Sequence, residues 1–417
     1  MTPNRWLILV AGVLVQLAIG AVYAWSVFGK AVQSDQAFGW SKAKASIPFE
    51  VAIGMIFVGS YVGGRIQDRK GPRIVALVGG VIYSLGVILA SFADGDRFWL
   101  LILGYGVLGG FGLGMAYIVP IAMLQKWFPD KPGLITGIAV AGFGFGAVIT
   151  APVGQRLIEA SPSLPTKAFL PLGIGYLIAI LIGASRFRNP PPGYRPPGMA
   201  PVEAKAAAGR AGAAQPSVAA DFSQQEAMRT PQWYMLTAIL TLSVTAGISL
   251  ISVAAGSAAD IAHYSAAGAA TLVGVLGLFN GGGRILWGWL SDRIGKMPAF
   301  MGILGIQGVC LLLIPHVGSA FLFAVLAALV YTCYGGAFGT MPSTAGRFFG
   351  VRNAGAIYGL MLIGWSIGGV VGPLLISSLI GENKAYTLGF TAVGIVALAG
   401  MAIPMFTKKP EHRPTSA

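Results

Sequence analysis

Charge is scarce in this 417-residue sequence: Asp, Glu, Lys and Arg together make up 10% of it, where an ordinary soluble domain carries about 25%. A chain that is also 55% hydrophobic has too little polar surface to cover itself in water, which excludes a soluble globular fold. Cysteine is nearly absent. Cys310 and Cys333 both sit inside apolar runs, which excludes a disulfide framework and offers no metal-ligand spacing. No metal and no other cofactor is expected. With three histidines and no nucleophile–base pair in the loops, enzyme chemistry is not expected either.

What the sequence has instead is long apolar runs. A bilayer-spanning helix needs about 20 mainly apolar residues, and twelve segments qualify: 6–28, 46–67, 73–93, 98–125, 132–156, 166–185, 232–258, 267–290, 298–316, 319–345, 353–380 and 385–406. They are too long for the alternating strands of a membrane barrel, so helix is the reading. The first run follows Arg5 but is too long for the apolar core of a secretion signal, and eleven more follow it. An all-α membrane protein of twelve spans is expected.

The net charge of +14 follows this topology and is not a nucleic-acid footprint. With both termini in the cytoplasm, 20 of the 28 Lys and Arg fall on the inner side and seven on the outer, leaving Arg284. The positive-inside rule is met in that orientation and violated in the reverse one. A cell (inner) membrane location is expected, with lipid as the surroundings.

The longest polar stretch, 186–231, joins the sixth and seventh segments. Its Pro-rich start should be extended and its Ala/Gly-rich middle flexible, while Ser223-Gln-Gln-Glu226 has capping-box spacing and predicts a short helix. It separates six helices in 1–185 from six in 232–407, with a tail over 408–417. The two halves repeat. Gly64-Arg-Ile-Gln-Asp68-Arg69-Lys70-Gly71 and Gly288-Trp-Leu-Ser-Asp292-Arg293-Ile294-Gly295 match as G-x-x-x-D-R-x-G at an offset of 224 residues. A weaker echo links Phe128 with Phe349 and Pro152 with Pro373 at 221. Two repeated six-helix halves with a binding site at their interface describe a secondary transporter.

Arg284 is the one charge deep within an apolar segment. The nearest downstream charge, Asp292, is eight residues on, roughly 12 Å along a helix. A cation at that depth normally faces a wet cavity or an anion, and marks a functional site. The sequence offers no obvious acidic partner, so the missing anion is expected to be cargo. The competing reading, a side chain bent to the interface, is strained by that distance. Asn280, one turn earlier, could help hold a carboxylate or orient the guanidinium. Gly281–Gly283 are expected to let a ligand approach the backbone.

The paired loops resemble the signature of the major facilitator superfamily, over essentially the whole chain. Trp127-Phe-Pro-Asp-Lys-Pro-Gly, Met228-Arg-Thr-Pro-Gln-Trp and Phe279-Asn-Gly-Gly-Gly-Arg284 resemble its oxalate/formate antiporter branch, which is close to the monocarboxylate transporters. The resemblance implies that Asp68 caps the eleventh helix while basic residues such as Arg69 bind acids of the first half, with Asp130 a plausible partner. Asp292 and Arg293 repeat the device. A plain tight turn is the alternative. It also implies that Tyr117, Tyr334 and Phe338 occupy binding positions; Tyr23, Trp25, Phe143 and Phe145 are further pocket candidates.

Departures from the relatives' patterns are informative. The oxalate-transporting members carry a lysine seven residues after a Tyr-Gly pair; here Tyr358-Gly359 leads to Trp365. A dicarboxylate would leave one carboxylate unpaired, at a cost of several kcal/mol, so a small monocarboxylate (lactate, pyruvate, glycolate or formate) is expected. The monocarboxylate transporters place an aspartate where Asn280 stands and a first-helix lysine where Val27 stands, so their proton relay does not transfer intact. Asp260, with Arg284, is the proton-coupling candidate. Proton symport by alternating access is the expected function. The alternatives are exchange of the oxalate/formate type, or a non-transporting receptor that kept the fold, against which the short tail speaks.

Overall fold

The computed structural model describes residues 4–196, 221–380 and 386–411. The middle of the 186–231 stretch, Lys384 and the end of the tail lie outside them. The twelve expected segments are all helical: α1 Arg5–Gln33, α2 Lys42–Lys70, α3 Pro72–Ala90, α4 Phe98–Trp127, α5 Pro132–Glu159, α6 Pro165–Ser185, α7 Pro231–Ala262, α8 Ala266–Ile294, α9 Lys296–His316, α10 Ala320–Phe349, α11 Ala354–Ile380 and α12 Tyr386–Phe406. Among the described residues there is no strand. Among the described residues, eleven of the helices are long and apolar enough to cross a bilayer on length and hydropathy.

Large apolar side chains such as Leu85, Ile178, Leu374 and Leu388 point outward. On a protein in water such a girdle would be a liability; around a membrane bundle it is the lipid-facing surface. Several spans depart locally from α-helical winding. Gly20–Ala24 of α1 winds as a 3-10 helix, Ile102–Gly109 of α4 as a π-helix, and α11 divides at Leu362.

The start of α1, the end of α12 and the Gln224–Met228 linker helix lie on one side of the bundle, here the linker face: Arg5 pairs with Asp130 of the α4–α5 loop, and Thr407 bonds Met235 at the start of α7. The capping box forms as expected: Ser223 Oγ accepts from Glu226 N and Glu226 Oε2 from Ser223 N. The linker is pinned at both ends. Trp127 Nε1 donates to Arg188 O at 2.7 Å, and Phe222 N donates to Phe349 O at 2.9 Å. The six-helix halves meet chiefly where α8 packs on α5 and where the linker-side part of α11 packs on α2.

Candidate functional site

The repeated loops supply the first element. Gly71 and Gly295, the closing glycines of the two signatures, turn with φ of 89° and 98°, a region that a side chain would disfavour. Each turn leaves the preceding aspartate at the end of its helix, against the start of a helix in the other half. Asp292 accepts from Gly133 N and Leu134 N of α5, both at 3.0 Å. Asp68 accepts from Ala356 N of α11 at 2.8 Å. A carboxylate on the free N–H groups of a first turn satisfies orphan donors and opposes the positive end of the helix dipole.

The arginines of the motif do less than expected. Arg69 is exposed, and Asp130 pairs with Arg5 of α1 at 2.8 Å rather than with Arg69. Arg293 stacks on Trp289, its Cζ 4.0 Å from the ring centroid. The cations that close on the capping carboxylates are two lysines the sequence reading did not single out. Lys296 Nζ bonds Asp292 Oδ1 at 2.8 Å and the hydroxyls of Ser291 and Ser343. Lys126 Nζ stands 4.0 Å from Asp68 Oδ1. Lys296 is recognisable in the sequence as the residue after the signature glycine. Lys126 becomes a partner only when α4 and α2 are packed together.

The second element is Arg284, the largest charged side chain in the interior, 1% exposed. It does not snorkel. Its backbone is gripped from both sides: a Cβ on Gly339 of α10 or on Gly137 of α5 would strike Arg284 O. Only glycine permits that approach, and it draws α8 between α5 and α10 so that the guanidinium lies on the seam between the halves. Nη1 donates to Val140 O of α5 at 2.9 Å, while Nε and Nη2 have no partner. Among the described residues no carboxylate pairs with it.

Aromatic rings enclose the guanidinium. Its Cζ lies 5.8 Å from the Phe143 centroid and 5.4 Å from that of Phe338, distances at which a ring face stabilises a cation. Tyr23 and Tyr117 pack edge-on against Phe143, at 5.1 and 5.0 Å. Tyr334 packs on Phe338 at 5.3 Å, and Trp365 on Phe338 at 5.1 Å. The structure therefore brings Arg284, Tyr23, Tyr117, Tyr334, Phe338 and Phe143 into one cluster, and adds Trp365. The buried hydroxyl of Tyr23 faces Arg284 and Tyr334 and that of Tyr358 faces Tyr117, neither within strict hydrogen-bond geometry. Tyr358 is the residue that sequence reading used only as a register mark.

Other expected members lie elsewhere. Asn280 Oδ1 is unpartnered and lies against Gly335 of α10. Gly281 and Gly283 do not open a path for a ligand: added Cβ atoms would strike the Phe145 ring and the Thr332 carbonyl, so both serve helix packing, and only Gly282 faces open space. Trp25 belongs to the core of the first half, with Tyr105 and Phe169. Asp260 is not brought to Arg284. Near the far end of α7, it accepts a hydrogen bond from Tyr386 Oη at 2.8 Å, in a cleft shared with His263 and His316.

A buried guanidinium that presents the Nε–Nη2 edge matches a planar carboxylate by two parallel N–H···O bonds. The rings that surround it supply no second charge.

The chain is similar to the oxalate:formate antiporter of Oxalobacter formigenes, 28% identical over 99% of this chain and 93% of the relative. It is also similar to apicoplast pyruvate carrier 1 of Toxoplasma gondii, 25% identical over 85% and 74%. Among solved structures, the Escherichia coli fucose:proton symporter aligns over 98% of this chain and 100% of its own with a TM-score of 0.71, at 13% identity, a likeness of fold alone. The relatives agree with the oxalate/formate branch that the motifs indicated. The Major Facilitator Superfamily model matches residues 6–373, and the chain is a transporter belonging to that superfamily.

Proposed function

We propose that this transporter carries a small monocarboxylate anion, bound at Arg284, by alternating access. One observation carries the reading: a buried guanidinium with Nη1 tied to the backbone of the opposite half, its Nε and Nη2 unpartnered, and no carboxylate paired with it among the described residues. An uncompensated buried charge costs several kcal/mol, which an arriving carboxylate offsets. Tyr23, Tyr117, Tyr334, Phe338, Phe143 and Trp365 form the walls, with Asn280 on the same helix one turn away. One cation accommodates one carboxylate, which favours monocarboxylates such as lactate, pyruvate, glycolate or formate over dicarboxylates.

Two couplings fit an anion carrier, and the geometry favours exchange over proton symport. Symport asks for a group that takes up a proton close enough to feel the cargo. The residues around Arg284 are tyrosines, phenylalanines and Trp365, and Asp260 is held by Tyr386 near the far end of α7. Exchange needs no such group, because the empty site keeps its charge and returns only with another anion. The oxalate:formate relative is consistent with this. The linker face is assigned to the cytoplasm on the distribution of Lys and Arg, in an inner or plasma membrane. Uptake of a labelled monocarboxylate panel into proteoliposomes tests the scheme. Uptake that requires an internal anion and ignores an imposed pH gradient supports exchange. Uptake driven by the gradient into anion-free vesicles restores symport, and no uptake of any monocarboxylate overturns the substrate class.

A further inference from the structure

The linker-side end of α2 carries a second site of another kind. One side of the helix is committed to protein. Gly59 and Gly63 lie against the α4 backbone and Gly64 against Gly355 of α11, while Gln67 bonds Val119 O of α4 and Asp68 caps α11. At about 100° per residue, Val58, Tyr61, Val62, Arg65 and Arg69 fall on the opposite side. The structure agrees: Val58, Arg65, Arg69 and Lys70 are exposed and Tyr61, Val62 and Ile66 half-buried. Tyr61, Val62, Arg65, Ile66, Arg69 and Lys70 line a groove of about 310 Å³.

The groove is amphipathic along its length. Arg65, Arg69 and Lys70 cluster at the helix end, and no ion pair joins any of them to an acid among the described residues. Arg65 is oriented within it, Nη1 donating to Tyr61 Oη at 2.9 Å. Below the cations Tyr61, Val62 and Val58 continue the surface toward the middle of the span. Three fixed positive charges at headgroup level above an apolar wall complement one kind of neighbour, a lipid with an anionic headgroup and an acyl chain. We infer that this groove binds an acidic phospholipid, its phosphate among Arg65, Arg69 and Lys70 and its chain along Tyr61, Val62 and Val58. The lipid would sit on the back of the helix whose front holds the Asp68 cap.

Native mass spectrometry of the full-length protein, released from detergent with phosphatidylglycerol or phosphatidylcholine, tests the site. Each basic residue near a membrane surface strengthens binding by about fivefold. The triple variant Arg65→Gln, Arg69→Gln, Lys70→Gln should therefore retain the tightest phosphatidylglycerol more than tenfold less well, and Arg65→Gln alone about fivefold less, which keeps the test open should the triple variant misfold. Lys408→Gln with Lys409→Gln, which removes charge from the same face outside the groove, should retain it like wild type. Equal retention in wild type and groove variants overturns the proposal. So do equal losses in groove and control variants, equal binding of phosphatidylcholine, or displacement of the lipid by inorganic phosphate alone.

Discussion

Arg284 Nη1 donates to Val140 O across the seam between the six-helix halves, at 2.9 Å. The residue proposed to hold the cargo is thus also a fastener between the two bodies that must rock. Cargo on the Nε–Nη2 edge and Val140 on Nη1 share one rigid plane. A carboxylate that pulls the guanidinium toward itself therefore alters the hydrogen bond that joins the halves.

Arg284→Gln should abolish the grip on the anion while sparing the fold. Two hydrogen bonds to a charged group, at ~1.5 kcal/mol or more each, correspond to at least about a hundredfold loss in uptake efficiency. The thermal midpoint should stay level or rise, because a desolvated cation is removed. Proteoliposome uptake and a melting curve on the same preparation check both; retained uptake removes Arg284 from the site.

Tyr358→Phe and Tyr23→Phe delete hydroxyls that make no hydrogen bond of good geometry within the protein, so stability should hold within about 0.5 kcal/mol. If each hydroxyl meets the cargo, affinity falls by about 1 kcal/mol, or fivefold. The check is a competition curve for each variant beside its melting temperature. A melting loss without an affinity loss would mean that the hydroxyls are structural.

Trp365→Lys should trade one preference for another. The ring packs on Phe338 and, at greater distance, on Tyr117 and Phe143, so its loss costs roughly 3 kcal/mol of packing. A second ammonium near Arg284 should nevertheless improve competition by oxalate while monocarboxylate uptake falls. Unchanged oxalate competition contradicts the one-charge argument.

Asp292→Ala should loosen the start of α5 and leave α11 alone. Loss of a helix-capping carboxylate costs about 1 kcal/mol, so exchange of the Gly133 and Leu134 amides should quicken roughly fivefold with the Ala356 amide unaffected. Asp68→Ala should do the reverse. Hydrogen exchange resolved to those peptides decides it.

The twelve spans and the two-fold repetition were legible because hydropathy and a spaced motif are local properties. Arg284 was legible because a lone charge in an apolar run is conspicuous. Its partners were not. Val140 contributes a carbonyl, which no side-chain pattern marks, and Tyr358 reaches the site only through the packing of α11. Gly281 and Gly283 were misread for a related reason: a glycine in a sequence advertises missing bulk without saying whether a ligand or a neighbouring helix fills the space. The family resemblance also suggested that Asp130 would meet the motif arginines, whereas the bundle places Arg5 beside it.

The reciprocity of the two aspartates has a mechanical consequence. Asp68 reaches from the first half to α11, and Asp292 reaches from the second half to α5. Each clasp is owned by one half and grips the other. Under the proposed alternating access, undoing one would leave its counterpart engaged and the door skewed rather than ajar, so passage toward the linker side would require both to let go in the same stroke.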